Sequence, residues 1–187
     1  MHVTFEGFEG AVIRRLTRRE FGRLVEAGAF EGEKVELLAG FLVEKMTQGP
    51  RHAEVLMRVG ELLMRRLEGR ARVRIQVPLA LSEDSEPEPD VFVVPLGSYL
   101  EGHPSRAYWV IEVSSSSIRL DRGLKARLYA TAGVPEYWIV DVDGGVVEVH
   151  TEPANGAYAR TARHALGEAV RSTSFPDVEI RVEELLR

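Results

Sequence analysis

Cysteine is absent from the 187 residues of this chain, which excludes disulfide bridges, thiolate metal ligands and cysteine nucleophiles. Long apolar runs are also lacking, and the longest ones, such as 108–113 and 137–140, are far too short to span a bilayer. The first ten residues, MHVTFEGFEG, have no basic region followed by an apolar stretch, so they do not resemble a signal peptide. We therefore expect a cytoplasmic protein that does not interact with a membrane.

Lysine is scarce: Lys34, Lys45 and Lys125 are the only ones, arginine supplies the other basic residues, and the formal net charge is -5. An acidic chain argues against a protein that binds nucleic acid mainly by neutralising phosphates. It argues less against an enzyme whose carboxylates are balanced by metal ions. The basic groupings are Arg14-Arg15, Arg18-Arg19, Arg65-Arg66, Arg70, Arg72 and Arg74. They are compatible with the flanks of a DNA groove and equally with alternating charges on exposed helix faces.

An apolar fraction of 44% and the absence of repeats or long linkers favour one domain over residues 1–187. Within it, residues 1–50 are expected to add an N-terminal helix and a β-hairpin. Residues 51–142 are expected to form the core, and 143–187 a C-terminal hairpin and tail. Thr17 and Glu20 form a capping-box pattern that predicts a helix ending near Gly28.

The rest of the chain alternates between helical and extended patterns. We predict a hairpin over 34–46 that turns near Ala39-Gly40, a helix over 51–67, strands over 73–81, 90–94 and 108–113, a helix over 120–132 and a strand over 137–142. Strands over 146–150 and 158–165 are expected to pair, and the tail 175–186 to hold a short extended piece and a helical turn. The fold class is therefore α/β (α+β), with the order helix–three strands–helix–strand around a mixed sheet. The first three strands suit an antiparallel meander, and the last crossover suits a parallel pair.

Two acidic residues occupy informative places in these strands. Asp90 opens one strand directly after Pro89, and Glu112 lies near the end of the next strand. Adjacent antiparallel strands bring the start of one beside the end of the other, so both carboxylates are expected at the same rim. A buried carboxylate is costly unless it is paired, hydrogen-bonded, protonated or bound to a metal.

Two converging carboxylates suit a hard cation such as Mg²⁺ or Mn²⁺. Two simpler interpretations stay open: Glu112 pairs with an arginine or a backbone cap, and Asp90 is an ordinary residue at the start of a strand. Asp121, Lys125 and Tyr129 share one helical face at spacings of four residues. An ammonium there could orient a water nucleophile or stabilise charge on phosphorus, but a surface Asp–Lys pair explains the local pattern as well.

Taken together, these residues resemble the Uma family of bacterial proteins, in the PD-(D/E)XK restriction-endonuclease-like superfamily. The matching segments are Glu36–Gly40, His52, Pro89-Asp90, Glu112–Ser117, Asp121, Lys125, Tyr129, Gly133–Asp141 and Phe175–Glu179. The resemblance covers most of the chain beyond about residue 16. Pro-Asp alone is uninformative, since the chain repeats it at Pro176-Asp177 without an acidic core strand downstream.

The resemblance implies a nuclease core that depends on Mg²⁺ or Mn²⁺. Asp90 and Glu112 match the metal-binding acids, and the carbonyl of Val113 matches a further ligand. Ser114 stands where the E-x-K element has lysine. In the superfamily the following helix can supply that lysine, and Lys125 is at the matching place.

Other matching positions admit two interpretations each. His52 is either an acid, base or phosphate contact, or a helix-start residue with local hydrogen bonds. Glu36 either completes a second metal position or faces solvent on the hairpin. Gln76, on the polar side of its strand, is a candidate for the lining of the cleft, as are Ser114, Asp121 and Tyr129. The serines 114–117 lack a Gly-x-Ser-x-Gly elbow and better suit a loop and helix cap than a hydrolase nucleophile.

Two functions are compatible with these residues. The first is an endonuclease that hydrolyses phosphodiester bonds of nucleic acid, with DNA favoured as the substrate. The second is a catalytically inactive module of the same fold that binds DNA or a protein partner, as the serine at 114 and the acidic charge suggest. A homodimer is compatible with the first, because enzymes that cut both strands often act as dimers.

Overall fold

The computed structural model describes residues 12–187; residues 1–11, on which the signal-peptide prediction depends, lie outside the described part. The helices are α1 (Arg18–Glu26), α2 (Pro50–Arg66), α3 (Ile118–Leu120), α4 (Ala126–Thr131) and α5 (Val182–Leu186), with a π-helical turn at Asp121–Lys125. The strands are β1 (Val35–Leu38), β2 (Phe41–Glu44), β3 (Arg72–Ile75), β4 (Val91–Val94), β5 (Trp109–Ser114), β6 (Glu136–Asp141), β7 (Val146–Ala154), β8 (Ala157–Ala165), β9 (Ala169–Arg171) and β10 (Glu179–Arg181).

Six of these strands form a mixed sheet in the order β3-β4-β5-β6-β7-β8. Strands β5 and β6 are parallel, and every other neighbouring pair in this sheet is antiparallel. The parallel pair is joined by the helical segment 118–131, as a crossover connection requires. The predicted meander, the crossover and the mixed α/β fold class are therefore confirmed.

Both faces of the sheet are covered, which explains why β4, β5 and β6 are buried along their whole length. On one face, α2 and α5 pack through residues such as Val59, Leu63 and Leu185 against Trp109 and Trp138. On the other face, a second apolar cluster contains Leu79, Phe92, Val110, Tyr129, Tyr137 and Ile139. Side chains alternate along a strand, so Asp90 and Glu112 share the second face with Phe92 and Val110.

The N-terminal elements form as their local sequence indicates. Thr17 caps α1, and its backbone N–H is in turn bound by Glu20, so the capping box is present. The β1–β2 hairpin turns through Ala39 and Gly40, which both have positive φ (50° and 80°). Two consecutive positive φ values fit the tight turns that join antiparallel strands. No helix within residues 12–187 is long and apolar enough to cross a membrane.

The predicted strand over 73–81 is wrong in its second half, because β3 ends at Ile75. Gln76 takes a positive φ of 48°, and its N–H lies 3.2 Å from the carbonyl of Pro89 and 3.1 Å from that of Asp90. Beyond this kink the apolar residues change face: Val73 and Ile75 pack with the α2 cluster, whereas 77, 79 and 81 pack with the opposite one. Apolar alternation continues in the sequence because both faces of the sheet are buried.

The predicted helix over 120–132 begins earlier, at Ile118, and contains the π-helical turn. Ser117 precedes it, as expected for a cap, but its hydroxyl makes no capping hydrogen bond. It donates instead to Oδ2 of Asp121 at 2.6 Å. π-Helical turns occur frequently at functional sites, where they turn side chains that a regular helix would point elsewhere.

The tail is anchored by the buried carboxylate of Glu136, at the start of β6. Its oxygens accept hydrogen bonds from the indole of Trp138 (2.8 Å), the hydroxyl of Ser172 (2.7 Å) and the backbone N–H groups of Thr173 (3.1 Å) and Ser174 (2.9 Å). Beyond these residues, β10 and α5 form the predicted extended piece and helical turn. The pairing of β10 with β9 was not anticipated.

Candidate functional site

Asp90 and Glu112 meet at one rim of the sheet, as the antiparallel arrangement of their strands predicts. The β4–β5 register pairs Val91 with Ile111, which places the next residues, Asp90 and Glu112, side by side. The N–H of Asp90 donates to Oε2 of Glu112 at 3.3 Å, and the N–H of Val113 donates to Oδ2 of Asp90 at 2.9 Å. Both acids are buried, with 5% and 3% of their surface exposed. The spatial premise of the predicted site is therefore confirmed.

The carbonyl of Val113 points from β5 towards the β4 side, where Asp90 lies. In an extended strand the N–H and C=O groups of one residue point in the same direction across the ladder. The N–H of Val113 faces Asp90, whereas the carbonyl of Ser114 faces away and accepts from Val142 on the β6 side. The Val113 carbonyl is thus directed towards the start of β4.

Lys125 lies beside Glu112, not on the protein surface. Its Nζ is 3.1 Å from Oε1 of Glu112 and 3.1 Å from Oε1 of Glu36, and only 6% of its side chain is exposed. The hydroxyl of Tyr129, one turn further along, donates to the same Glu112 oxygen at 2.7 Å. The interpretation of Lys125 as half of a surface Asp–Lys pair is therefore wrong, since Asp121 is buried as well.

Glu36 is also buried, at 2% exposure, which excludes the solvent-facing hairpin residue that the sequence left open. Its Oε2 accepts the backbone N–H of Glu88 at 3.0 Å, and its Oε1 contacts Lys125. The hairpin β1–β2 thus contributes one carboxylate to the same cluster, next to the lysine.

Asp121 and Ser114 form the support behind this cluster. Oδ2 of Asp121 accepts hydrogen bonds from the hydroxyls of Ser114 (2.8 Å) and Ser117 (2.6 Å). Ser114 is completely buried, so it does not line the open part of the cleft. Ser114 stands where the E-x-K motif has its lysine. The ammonium group beside Glu112 is that of Lys125, which comes from the helical segment.

Three side chains surround the carboxylate of Asp90. The amide of Gln76 donates to Oδ1 at 3.1 Å, and that of Gln48 lies 3.5 Å from the same oxygen. Nε2 of His52 lies 3.7 Å from Oδ2 and has no hydrogen-bond partner among residues 12–187, although it is buried. No local hydrogen bond occupies this nitrogen, and it faces the acid.

The cluster forms the floor of a cleft of about 300 Å³. One wall is the loop 45–49 between β2 and α2, and the opposite wall is the serine loop 115–117 with Arg119 and Leu120. Glu36, His52, Asp90, Glu112, Asp121 and Lys125 all line it. Gln48 and Arg119 were not anticipated, because neither belongs to a motif of the sequence and only the fold brings these two residues to the cleft.

Negative charge is in excess at this floor. Burial, together with the carboxylates of Asp90, Asp121 and Glu36, raises the pKa of Glu112 to about 8, although Lys125 opposes the rise. Burial disfavours the charge on Lys125, but Glu112 and Glu36 outweigh it and raise the lysine pKa above its ordinary value. The lysine therefore stays protonated, and one cation is shared among several acids.

The neighbouring Asp90 behaves in the opposite way. Burial alone would raise the pKa of Asp90, but the His52 ring, the Gln76 amide and the N–H of Val113 together lower it. Asp90 is thus held as a carboxylate while Glu112 retains its proton to higher pH. Two acids with separated pKa values in one cleft are typical of functional sites.

The donor set suits a hard cation. Oε1 of Glu112 accepts from Lys125 and Tyr129, and its Oε2 accepts the backbone N–H of Asp90. Oδ2 of Asp90 accepts the backbone N–H of Val113. Carboxylate and carbonyl oxygens are preferred by Mg²⁺, and a divalent ion would relieve the excess charge. Within residues 12–187, however, no three Asp, Glu, His or Cys side chains form a ready-made ion site. The two acids and the Val113 carbonyl are the oxygen groups that would have to hold such an ion, with water as the remaining ligands.

Comparisons with known proteins agree with this architecture. No curated protein gives a significant match. Among solved structures, a protein from Anabaena variabilis described as "a putative nuclease belonging to DUF820" superposes with a TM-score of 0.73 at 17% sequence identity, covering 91% of this chain and 97% of that one. The model of the Uma2 family, described as "Putative restriction endonuclease", matches residues 19–183. Since that match spans most of the sequence, the chain belongs to the Uma2 family.

Proposed function

We propose that this protein is an endonuclease that hydrolyses phosphodiester bonds, with DNA as its substrate and Mg²⁺ or Mn²⁺ as its cofactor. The proposal depends on one observation: Asp90 and Glu112 are buried side by side at one rim of the sheet, with the Lys125 ammonium 3.1 Å from Glu112. The family description supports a nuclease-type activity.

Each of these groups has a separate role in the proposed reaction. Asp90, Glu112 and the Val113 carbonyl would hold the ion, and Glu36 is the candidate for a second position. When bound, the ion supplies Lewis-acid polarisation of the phosphate and lowers the pKa of a bound water. Lys125, which stays protonated, cannot act as a base; its Nζ instead orients the nucleophile or stabilises negative charge that develops on phosphorus.

His52 is the candidate for a proton transfer or a phosphate contact. Its Nε2 has no hydrogen-bond partner among residues 12–187 and lies 3.7 Å from Oδ2 of Asp90. A ring held in this place can donate to a phosphate oxygen once substrate enters the cleft, or exchange a proton with water there.

Digestion of a supercoiled plasmid with Mg²⁺ and with Mn²⁺ tests the proposal. We expect nicked or linear product from the wild-type protein and none from Asp90→Ala or Glu112→Gln. Glu61→Gln, which alters an exposed acid on α2, is the matched control and should cut normally. The proposal fails if the wild-type protein leaves DNA intact while folded, or if the Asp90→Ala protein cuts equally well.

A catalytically inactive module that binds DNA or a protein partner is the second candidate. It is favoured by the Lys125 ammonium, which already lies 3.1 Å from an oxygen of Glu112 and 3.1 Å from an oxygen of Glu36, where it would compete with a bound cation. Calorimetric titration with Mn²⁺ separates the two candidates. Binding that disappears in Glu112→Gln supports the metal-dependent enzyme, whereas no binding by the wild-type protein supports the inactive module.

Two further expectations accompany the first candidate. A homodimer would allow both strands of a duplex to be cut, and sedimentation of the protein with and without DNA measures its oligomeric state. A cytoplasmic location is compatible with the absence of cysteine, and fractionation of cells checks it.

A further inference from the structure

The cations that line the cleft differ in whether a carboxylate already neutralises them. Lys125 contacts Glu36 and Glu112, and Nζ of Lys45 lies 2.9 Å from the carbonyl and 3.4 Å from the carboxylate of Glu88. Arg119 also lines the cleft, but it makes no hydrogen bond or ion pair within residues 12–187. It is the arginine of the cleft wall whose charge is not yet balanced.

An anionic substrate needs such a group here. The other charged side chains of the lining are mostly acidic and include Glu36, Glu44, Asp90, Glu112 and Asp121. A nucleic acid that approaches this cleft meets repulsion, and a divalent ion at the floor balances charge only at the reacting phosphate. A neighbouring phosphate would remain without a counter-charge unless Arg119 supplied it.

The surroundings of Arg119 offer further donors to a phosphate. Ser115 and Ser116 line the same wall, and their hydroxyls have no protein partner within the described residues, whereas that of Ser117 is used by Asp121. A guanidinium with adjacent hydroxyl donors is a usual arrangement for binding phosphate oxygens.

We propose that Arg119, with the hydroxyls of Ser115 and Ser116, binds a non-scissile phosphate of the nucleic-acid substrate at the rim of the cleft. The inference depends on the proposed function. Arg119 is a positioning residue: it contacts the backbone of the substrate next to the reacting group and takes no part in bond cleavage.

Arg127 provides a matched control. It is exposed on α4 of the same helical segment, has no ion-pair partner among residues 12–187 and does not line the cleft. Arg119→Gln and Arg127→Gln therefore remove the same charge from the same segment, and only the first removes it from the cleft.

The test measures kcat and KM on an oligonucleotide duplex in Mg²⁺ over a range of NaCl concentrations. For Arg119→Gln we expect KM to rise about tenfold or more, as the loss of a charged hydrogen bond predicts. We expect kcat to stay within about twofold, and the slope of log(kcat/KM) against log[NaCl] to become shallower by about 0.9. Arg119→Lys, which keeps the point charge, should retain most of the slope, and Arg127→Gln should behave as wild type.

The inference is overturned if Arg119→Gln matches wild type, if it lowers kcat alone, or if Arg127→Gln has the same effect, which would indicate general surface charge. A wild-type protein that cuts no nucleic acid would refute the proposed function itself, and the inference with it. That result is distinct from an active enzyme that is indifferent to Arg119. Thermal melts of each variant confirm that the proteins compared are folded.

Discussion

If Glu112 holds a divalent ion as proposed, its raised pKa makes the affinity for that ion depend on pH in a calculable way. The ion needs the carboxylate, so below a pKa of about 8 it must displace a proton. At pH 8 about half of the free protein has Glu112 ionised, and at pH 6 about 1% does. Asp90, whose pKa is lowered, stays ionised throughout this range and contributes no change. We expect Mn²⁺ to bind roughly 50-fold more weakly at pH 6 than at pH 8.

Isothermal titration with Mn²⁺ at pH 6, 7 and 8 measures this affinity. Repeating the titration at pH 6 in buffers of different ionisation enthalpy counts the released protons, and we expect about one proton per ion. His52→Asn is the control, because it removes the imidazole beside Asp90 and leaves Glu112 in place. The pH dependence should persist in that variant.

Two results would refute the reasoning. An affinity that changes less than about threefold between pH 6 and pH 8 would mean that Glu112 is ionised before the ion binds. A dependence that disappears in His52→Asn would assign the displaced proton to the imidazole.

Four further predictions concern the lysine, the tail, the hairpin turn and helix α1. Lys125→Ser should abolish cleavage, which plasmid nicking rates measure. Adding Ser114→Lys to this variant should raise kcat again by at least about tenfold, because a lysine at 114 projects from the same sheet face as the acids. Glu136→Gln should lower the free energy of unfolding, measured in urea, by about 2 kcal/mol. The glutamine NH₂ group would take the place of a carboxylate oxygen that now accepts hydrogen bonds, so it would face other donors. In the same assay, Gly40→Ala should destabilise the protein by more than about 1 kcal/mol because its φ is positive. Gly22→Ala, in α1 with nothing within 4 Å of the added carbon, should instead stabilise it by about 0.5–1 kcal/mol.

The sheet and the meeting of its two acids could be predicted because they depend on local patterns and on strands that follow one another in the chain. Asp90 and Glu112 lie on successive strands joined by one loop, so the antiparallel pairing fixes their proximity. The break at Gln76 could not be predicted in the same way. Apolar residues continue to alternate past it, and only the backbone shows that they change from one buried face to the other.

The partners of the lysine were beyond local sequence reasoning for a different reason. Asp121 and Lys125 at a spacing of four describe a surface ion pair as well as a buried cluster. What distinguishes the two is Glu36, which comes from a hairpin far away in the chain and lies 3.1 Å from Lys125. The helical spacing left the role of this lysine open, and the resemblance to a known family favoured the site, because a family pattern records contacts that spacing alone does not show.

The chain departs from the E-x-K pattern in the element that carries the ammonium group. A lysine two residues after Glu112 would project from the same face of β5, and its ammonium would arrive from the strand. Here that place holds Ser114, which instead binds Asp121 and helps to fix the π-helical turn from which Lys125 projects. The ammonium reaches Oε1 of Glu112 from the helical segment at 3.1 Å. Since electrostatic stabilisation depends on where the charge lies and not on which element carries it, the serine at 114 is no argument against catalysis by this site.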